Sequence, residues 1–88
     1  MLFAIERDTG SEIVGYVVAD AFSGHADIIV TQSGREVLRM PAAEPREAIR
    51  VAGRHETGLC GYRVDETILP GLGAMEEVEI WEPDSGLL

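Results

Sequence analysis

Gly53-Arg54-His55-Glu56-Thr57-Gly58-Leu59-Cys60-Gly61-Tyr62-Arg63-Val64-Asp65 is a polar, glycine-bounded loop that runs without a break into an alternating segment. In its second half Cys60, Tyr62 and Val64 fall on one side of an extended chain. Arg63 and Asp65 fall on the other, the period of two that marks a strand with one buried face. Gly53, Gly58 and Gly61 punctuate the loop at places where the backbone needs a positive φ or a close neighbour, so it is expected to hold a defined shape.

The same period recurs in both directions along the chain. Residues 2–6, 12–20, 26–31, 35–40, 59–65 and 76–82 read as strands, separated by turn chemistry such as Asp8-Thr9-Gly10-Ser11 and Gln32-Ser33-Gly34. Val14, Tyr16 and Val18 share one face of the second strand and Ile13, Val17 and Ala19 the other. Apolar residues on both faces predict a central strand, and Gly15 in its middle predicts a bulge or a segment packed close. Ile28, Val30, Val78 and Ile80 are expected inward. Pro41 ends the fourth strand, whose charged residues suit a sheet edge. Gln32-Ser33-Gly34 reads as a three-residue hairpin connection.

Residues 44–53 form the one helical pattern, with Pro45 suited to the first helical position, Gly53 to the stop, and Ala48, Ile49 and Ala52 to a buried stripe. So short a helix is expected to be held by packing on a sheet. Ile68, Leu69 and Leu72, among Pro70, Gly71 and Gly73, are expected to plug one end of the core. Pro83-Asp84-Ser85-Gly86 is a hairpin turn. Leu87-Leu88 after it read as the start of a seventh strand cut short, so the chain is expected to be the N-terminal part of a longer protein or to have its sheet completed by a partner. Together these elements predict a single all-β domain: a two-layer antiparallel sandwich of about six to seven strands with one short crossover helix.

Length and charge narrow the function. Eighty-eight residues make one domain, small enough to bury only roughly 60–65% of its extended surface. There are 16 acidic residues against seven arginines and no lysine, a formal net charge of −9. A chain this acidic repels phosphate backbones and anionic lipid, so neither nucleic acid nor membrane insertion is expected. The basic residues concentrate in the middle of the chain, and no arginine follows Arg63. The N-terminus shows no signal-peptide pattern and no apolar run approaches a membrane span, so the expectation is a soluble chain.

Catalytic and metal chemistry find no pattern to rest on. His25, His55 and Cys60 lack the spacing of zinc ligands, Cys60 falls on the inward face of its strand away from the loop His55, and Ser23, His25 and Asp27 are polar residues around a turn. The expectation is a non-enzyme without cofactor or metal. Trp81 is the leading candidate binding residue, because alternation places it opposite Val78 and Ile80 and beside Glu77 and Glu79. An outward indole among carboxylates suits either a protein contact or a sugar ring. Arg54, His55 and Glu56, on the shaped loop, are the second candidate set. Capping and internal ion pairing are their structural alternative.

Four stretches carry a family resemblance: Val14-Gly15-Tyr16-Val17-Val18-Ala19-Asp20, Gly34-Arg35-Glu36-Val37, Glu44-Pro45-Arg46-Glu47-Ala48 and Gly58-Leu59-Cys60-Gly61-Tyr62-Arg63-Val64. They resemble the small β-sandwich modules attached to bacterial glycosyltransferases and related cell-surface polysaccharide enzymes, with Tyr16 where those modules carry Trp and Tyr62 where they carry Phe. The resemblance implies an immunoglobulin-like accessory domain linked to surface glycans. The expected function is therefore a non-catalytic binding or docking module whose partner is a protein, an adjoining domain or a glycan. The alternative is a structural connector, a base domain that anchors a surface appendage or a phage-like particle component.

Overall fold

The computed structural model describes residues 2–18, 24–84 and 86–88. Among these residues eight strands occur in the order β1 (Leu2–Asp8), β2 (Glu12–Val18), β3 (Asp27–Gln32), β4 (Arg35–Pro41), β5 (Glu44–Pro45), β6 (Leu59–Asp65), β7 (Val78–Glu82) and β8 (Gly86–Leu87). An α-helix, α1 (Glu47–Val51), lies between β5 and β6, and a 3₁₀ turn covers Leu72–Ala74. The strands form two antiparallel four-stranded sheets, ordered β1-β2-β6-β5 and β4-β3-β7-β8. The chain crosses between the sheets after β2, after β4 and after β6, which is the connectivity of an immunoglobulin-like sandwich. No helix among the described residues is long and apolar enough to cross a membrane.

The core follows from the alternation. Ile13 and Val17 of β2, Ile28 and Val30 of β3, Tyr62 and Val64 of β6 and Ile80 of β7 face one another between the sheets, and Leu69 and Leu72 close one end. Ile68 stays outside this plug and is exposed. Val14 is buried on the outer face of the first sheet for a different reason. It stands directly between Arg7 and Arg63, and the aliphatic stems of long side chains cover apolar neighbours. Both arginines then reach Glu12, at 2.8 and 2.7 Å. The hydrogen bond from Arg7 comes first in holding the Glu12 carboxyl below its ordinary range.

Several expectations are corrected. Pro45 belongs to β5 and not to the helix, because the Arg46 N–H donates to the Gly58 carbonyl at 2.7 Å and keeps this segment paired beside β6. Helix α1 buries none of its residues: Ala48 and Ala52 are exposed and Ile49 is half-buried, so the buried stripe does not exist. Its five residues are closed instead by local bonds, Gly53 N–H to Arg50 O and Arg54 N–H to Ile49 O, the paired pattern of a Schellman stop. The β3–β4 hairpin has a two-residue turn, Ser33 and Gly34, both at positive φ (51° and 81°), the geometry that suits strand twist. A bulge after Val30 lets Val37 pack on the core together with Leu38 and Met40. The expected continuation of the second strand through Ala19 and Asp20, and the loop residues Ala21, Phe22 and Ser23, lie outside the described residues, as does Ser85 of the last turn.

Gly15 is the position where two elements come close. A Cβ there would fall 2.5 Å from both the Ala4 carbonyl oxygen and the Tyr62 hydroxyl, so the missing side chain is the room that the Tyr62 ring occupies beneath β2.

Candidate functional site

The open face of the second sheet is assembled by strand register. Trp81 of β7 pairs with Leu87 of β8 on one side and with Ile29 of β3 on the other, and Ile29 pairs in turn with Arg39 of β4. Because residues directly opposite share a face, Leu87, Trp81, Ile29 and Arg39 make one row across all four strands. The next row is Glu79, Thr31 and Glu36. The sheet thus presents an apolar stripe with an arginine at one end and carboxylates along one flank.

The indole is held in place. Its Nε1–H donates to the Thr31 hydroxyl at 3.0 Å, which leans the ring from β7 across β3 and leaves it half-buried. Leu87 beside it is 51% exposed. Arg39 is steadied by Asp27 at 3.6 Å. An anchored aromatic with its polar atom already satisfied can offer a partner its apolar surface at little cost in side-chain ordering.

The loop candidates are brought together in sequence but divided in orientation. Arg54 and Glu56 are exposed, whereas His55 is 3% exposed and faces inward. Its Nε2 lies 2.6 Å from the Gly24 carbonyl oxygen, which can only accept, so Nε2 carries the proton. Nδ1 accepts from the Gly58 N–H at 3.1 Å and the Thr57 N–H at 3.3 Å. The imidazole therefore staples this loop to the segment before β3. Gly58 completes the bend at φ 75°, with the Arg46 carbonyl oxygen 2.8 Å from where a Cβ would lie.

Arg46, which no local sequence pattern marks out, is the central polar contact of the first sheet. Its guanidinium lies against Gly61, where there is no side chain to displace it. From there Nε binds Glu6 Oε1 at 2.9 Å, Nη1 binds the Pro45 carbonyl at 2.8 Å, and Nη2 reaches the carbonyls of Gly15 at 3.2 Å and Tyr62 at 3.5 Å. One side chain ties β1, β2, β5 and β6 together.

Cys60 is fully buried, and burial pushes its thiol above the ordinary range, with the nearby Arg46 opposing and Glu6 adding to the shift. Its Sγ sits 3.6 Å from the Gly58 carbonyl oxygen. Thiolate formation is disfavoured in such a place, and the imidazole of His55 is engaged with backbone on both nitrogens. Among the described residues no three His, Cys, Asp or Glu side chains gather as a metal ion would require.

Of the sequence candidates, Trp81 lies on an open β-face, Arg54 and Glu56 on the loop surface, and His55 inside. The partners of Trp81, namely Leu87, Ile29, Thr31 and Arg39, were missed because they come from three other strands. The outward alternation of Trp81 was the only local signal of this face. Comparison with protein-family models, with curated proteins and with solved structures finds no match to this chain.

Proposed function

We propose that the domain is a non-catalytic docking module that binds a protein partner or an adjoining domain through the open face of its second sheet. The observation that carries this reading is the indole of Trp81, fixed to Thr31 and flanked by Ile29 and the exposed Leu87 in one cross-strand row. A rigid aromatic anchor in an apolar stripe with charged ends has the make-up of a protein contact. Glu79 and Glu36 beside the stripe favour a partner that brings basic groups. The role of structural connector, anchoring an appendage or particle component, is one form of this reading.

A glycan is the second reading, favoured by the same indole beside the Glu79 carboxylate, which can accept hydroxyl hydrogen bonds while a sugar ring stacks on the aromatic. The resemblance to accessory modules of surface-polysaccharide enzymes supports it. Seven carboxylates and no basic residue after Arg63 favour a neutral polysaccharide over an anionic one.

Two measurements separate these readings. Oxidative footprinting of the 88-residue domain, free and within its native assembly, should show Trp81 and Leu87 protected only in the assembly, and Trp81→Ala should weaken that assembly without unfolding the domain. Titration with neutral and acidic bacterial polysaccharides, read by the emission of the one tryptophan, tests the glycan: a shift lost in Trp81→Ala establishes it. Equal oxidation in both states together with no response to polysaccharide removes the face from consideration.

A further inference from the structure

We infer that β1 is a pairing edge for a second copy of this chain, joined antiparallel about a two-fold axis at Ala4. The four edge strands of the two sheets differ in how they are guarded. β5 and β8 have two residues each. β4 carries exposed Arg35, Glu36 and Arg39, a bulge, and Pro41 at its end. Short length, charge, bulges and proline are the devices that stop an open edge from recruiting another strand. β1 is seven residues long and has its bulge and charges only in the second half, from Glu6 to Asp8. Leu2, Phe3, Ala4 and Ile5 have none.

The side chains on that unguarded half are uncovered. Register places Phe3 opposite Val17 and Ile5 opposite Gly15, which puts both on the core-facing side of the first sheet. Yet Phe3 is 44% and Ile5 46% exposed, because no β1 residue belongs to the core cluster and the second sheet does not extend over this strand. β1 is held by β2 and by the Glu6 to Arg46 ion pair.

The pattern is self-complementary in one register. With Ala4 opposite its own copy, Phe3 of each chain stands opposite Ile5 of the other, and the four side chains form one apolar cluster on the face that β1 leaves bare. Such a contact is isologous and closes on itself. Charge permits it despite a net −9 on each chain. Glu6 falls opposite Leu2 and is already paired with Arg46, and the two Glu6 residues are four positions apart, about 13 Å. That exceeds the screening length of about 10 Å at 0.1 M salt. Five paired residues per copy make a contact below about 1,200 Å², the range of weak and transient interfaces. Salt must strengthen it, since it relieves repulsion between two acidic bodies. The inference stands apart from the docking face, which lies on the other sheet.

Sedimentation equilibrium of the full chain, from about 10 µM to about 1 mM at low and at moderate salt, tests this together with amide exchange. The expected result is a monomer–dimer equilibrium that tightens with salt, with slowed exchange confined to Leu2–Glu6 at the dimer concentrations. Phe3→Lys and Ile5→Lys should each weaken dimerisation at least tenfold while leaving the urea midpoint near that of the wild type, since both sites are half-exposed. Trp81→Ala should leave it unchanged. Ala4→Cys should cross-link to a homodimer on mild oxidation, and Asp8→Cys should not. A monomer under all conditions, a dimer indifferent to both lysine variants, or preferential cross-linking through Asp8→Cys overturns the inference. So does β1 protection that arises only when an unrelated peptide strand is added, which would give the edge to a foreign partner.

Discussion

Replacing Tyr62 with phenylalanine should make this domain more stable. The Tyr62 side chain is fully buried, and its hydroxyl finds no hydrogen-bond partner among the described residues. A buried hydroxyl that gives up water without a protein partner costs about 1–3 kcal/mol, and phenylalanine keeps the ring that fills the space under Gly15. Taking the low end of that range, Tyr62→Phe should gain about 1 kcal/mol at neutral pH and raise the melting temperature by roughly 4–8 °C for a domain of this size. The pH dependence supplies a second, independent reading. Burial, the largest cause, pushes the Tyr62 phenol up to about 12 from an ordinary 10, with Glu6 adding to the shift and Arg46 opposing it. Between these values the unfolded chain releases the proton while the folded chain keeps it. The unfolded state then binds fewer protons, so stability falls as pH rises. Below pH 10 this contribution is intact; across the window the loss is bounded by about 2.7 kcal/mol for a two-unit displacement. Urea denaturation of both proteins at pH 7 and in steps from pH 9.5 to 12 isolates Tyr62, because Tyr16 and Cys60 are common to both. The wild type should lose stability more steeply than the variant above pH 10. A Tyr62→Phe protein that is about 1 kcal/mol less stable at pH 7 would show that the hydroxyl is bonded, and an alkaline slope that matches the wild type would show that burial does not shift the phenol; either result would refute this reasoning.

Gly15→Ala should cost about 1–3 kcal/mol or more, because the new Cβ would lie 2.5 Å from the Ala4 carbonyl oxygen, a backbone atom, and 2.7 Å from the Tyr62 Cζ; combining it with Tyr62→Phe should not restore stability, and a single variant within 0.5 kcal/mol of wild type in urea would contradict the packing. His55→Ala should destabilise the domain by about 2–3 kcal/mol and speed amide exchange at Thr57 and Gly58 by tenfold or more, since both donors lose their acceptor. Binding through the Trp81 face should change by no more than a few-fold, and unchanged exchange at both amides would remove the stapling role.

Much of the fold can be read from the chain because a strand's two faces are encoded locally, by every second residue. Leu59–Asp65 is a strand with Cys60, Tyr62 and Val64 buried, as its alternation requires, and Ile28, Val30 and Ile80 follow the same rule. The outward position of Trp81 is legible in the same way. What period alone cannot encode is which strand lies beside which, and every feature that depends on neighbours escaped it. The row that joins Trp81 to Ile29, Leu87 and Arg39 exists only through pairing. The helical pattern at residues 44–53 satisfies local rules, yet Pro45 is drawn into β5 by Arg46 N–H bonding to Gly58, and no sheet covers the helix that remains. His55 turns inward because the Gly24 carbonyl, 31 residues away, and two loop amides meet where its ring lies. Phe3 and Ile5 alternate like core residues and face the core side, but the opposing sheet does not reach over β1. Burial is decided by what stands across the gap, and that belongs to the tertiary structure alone.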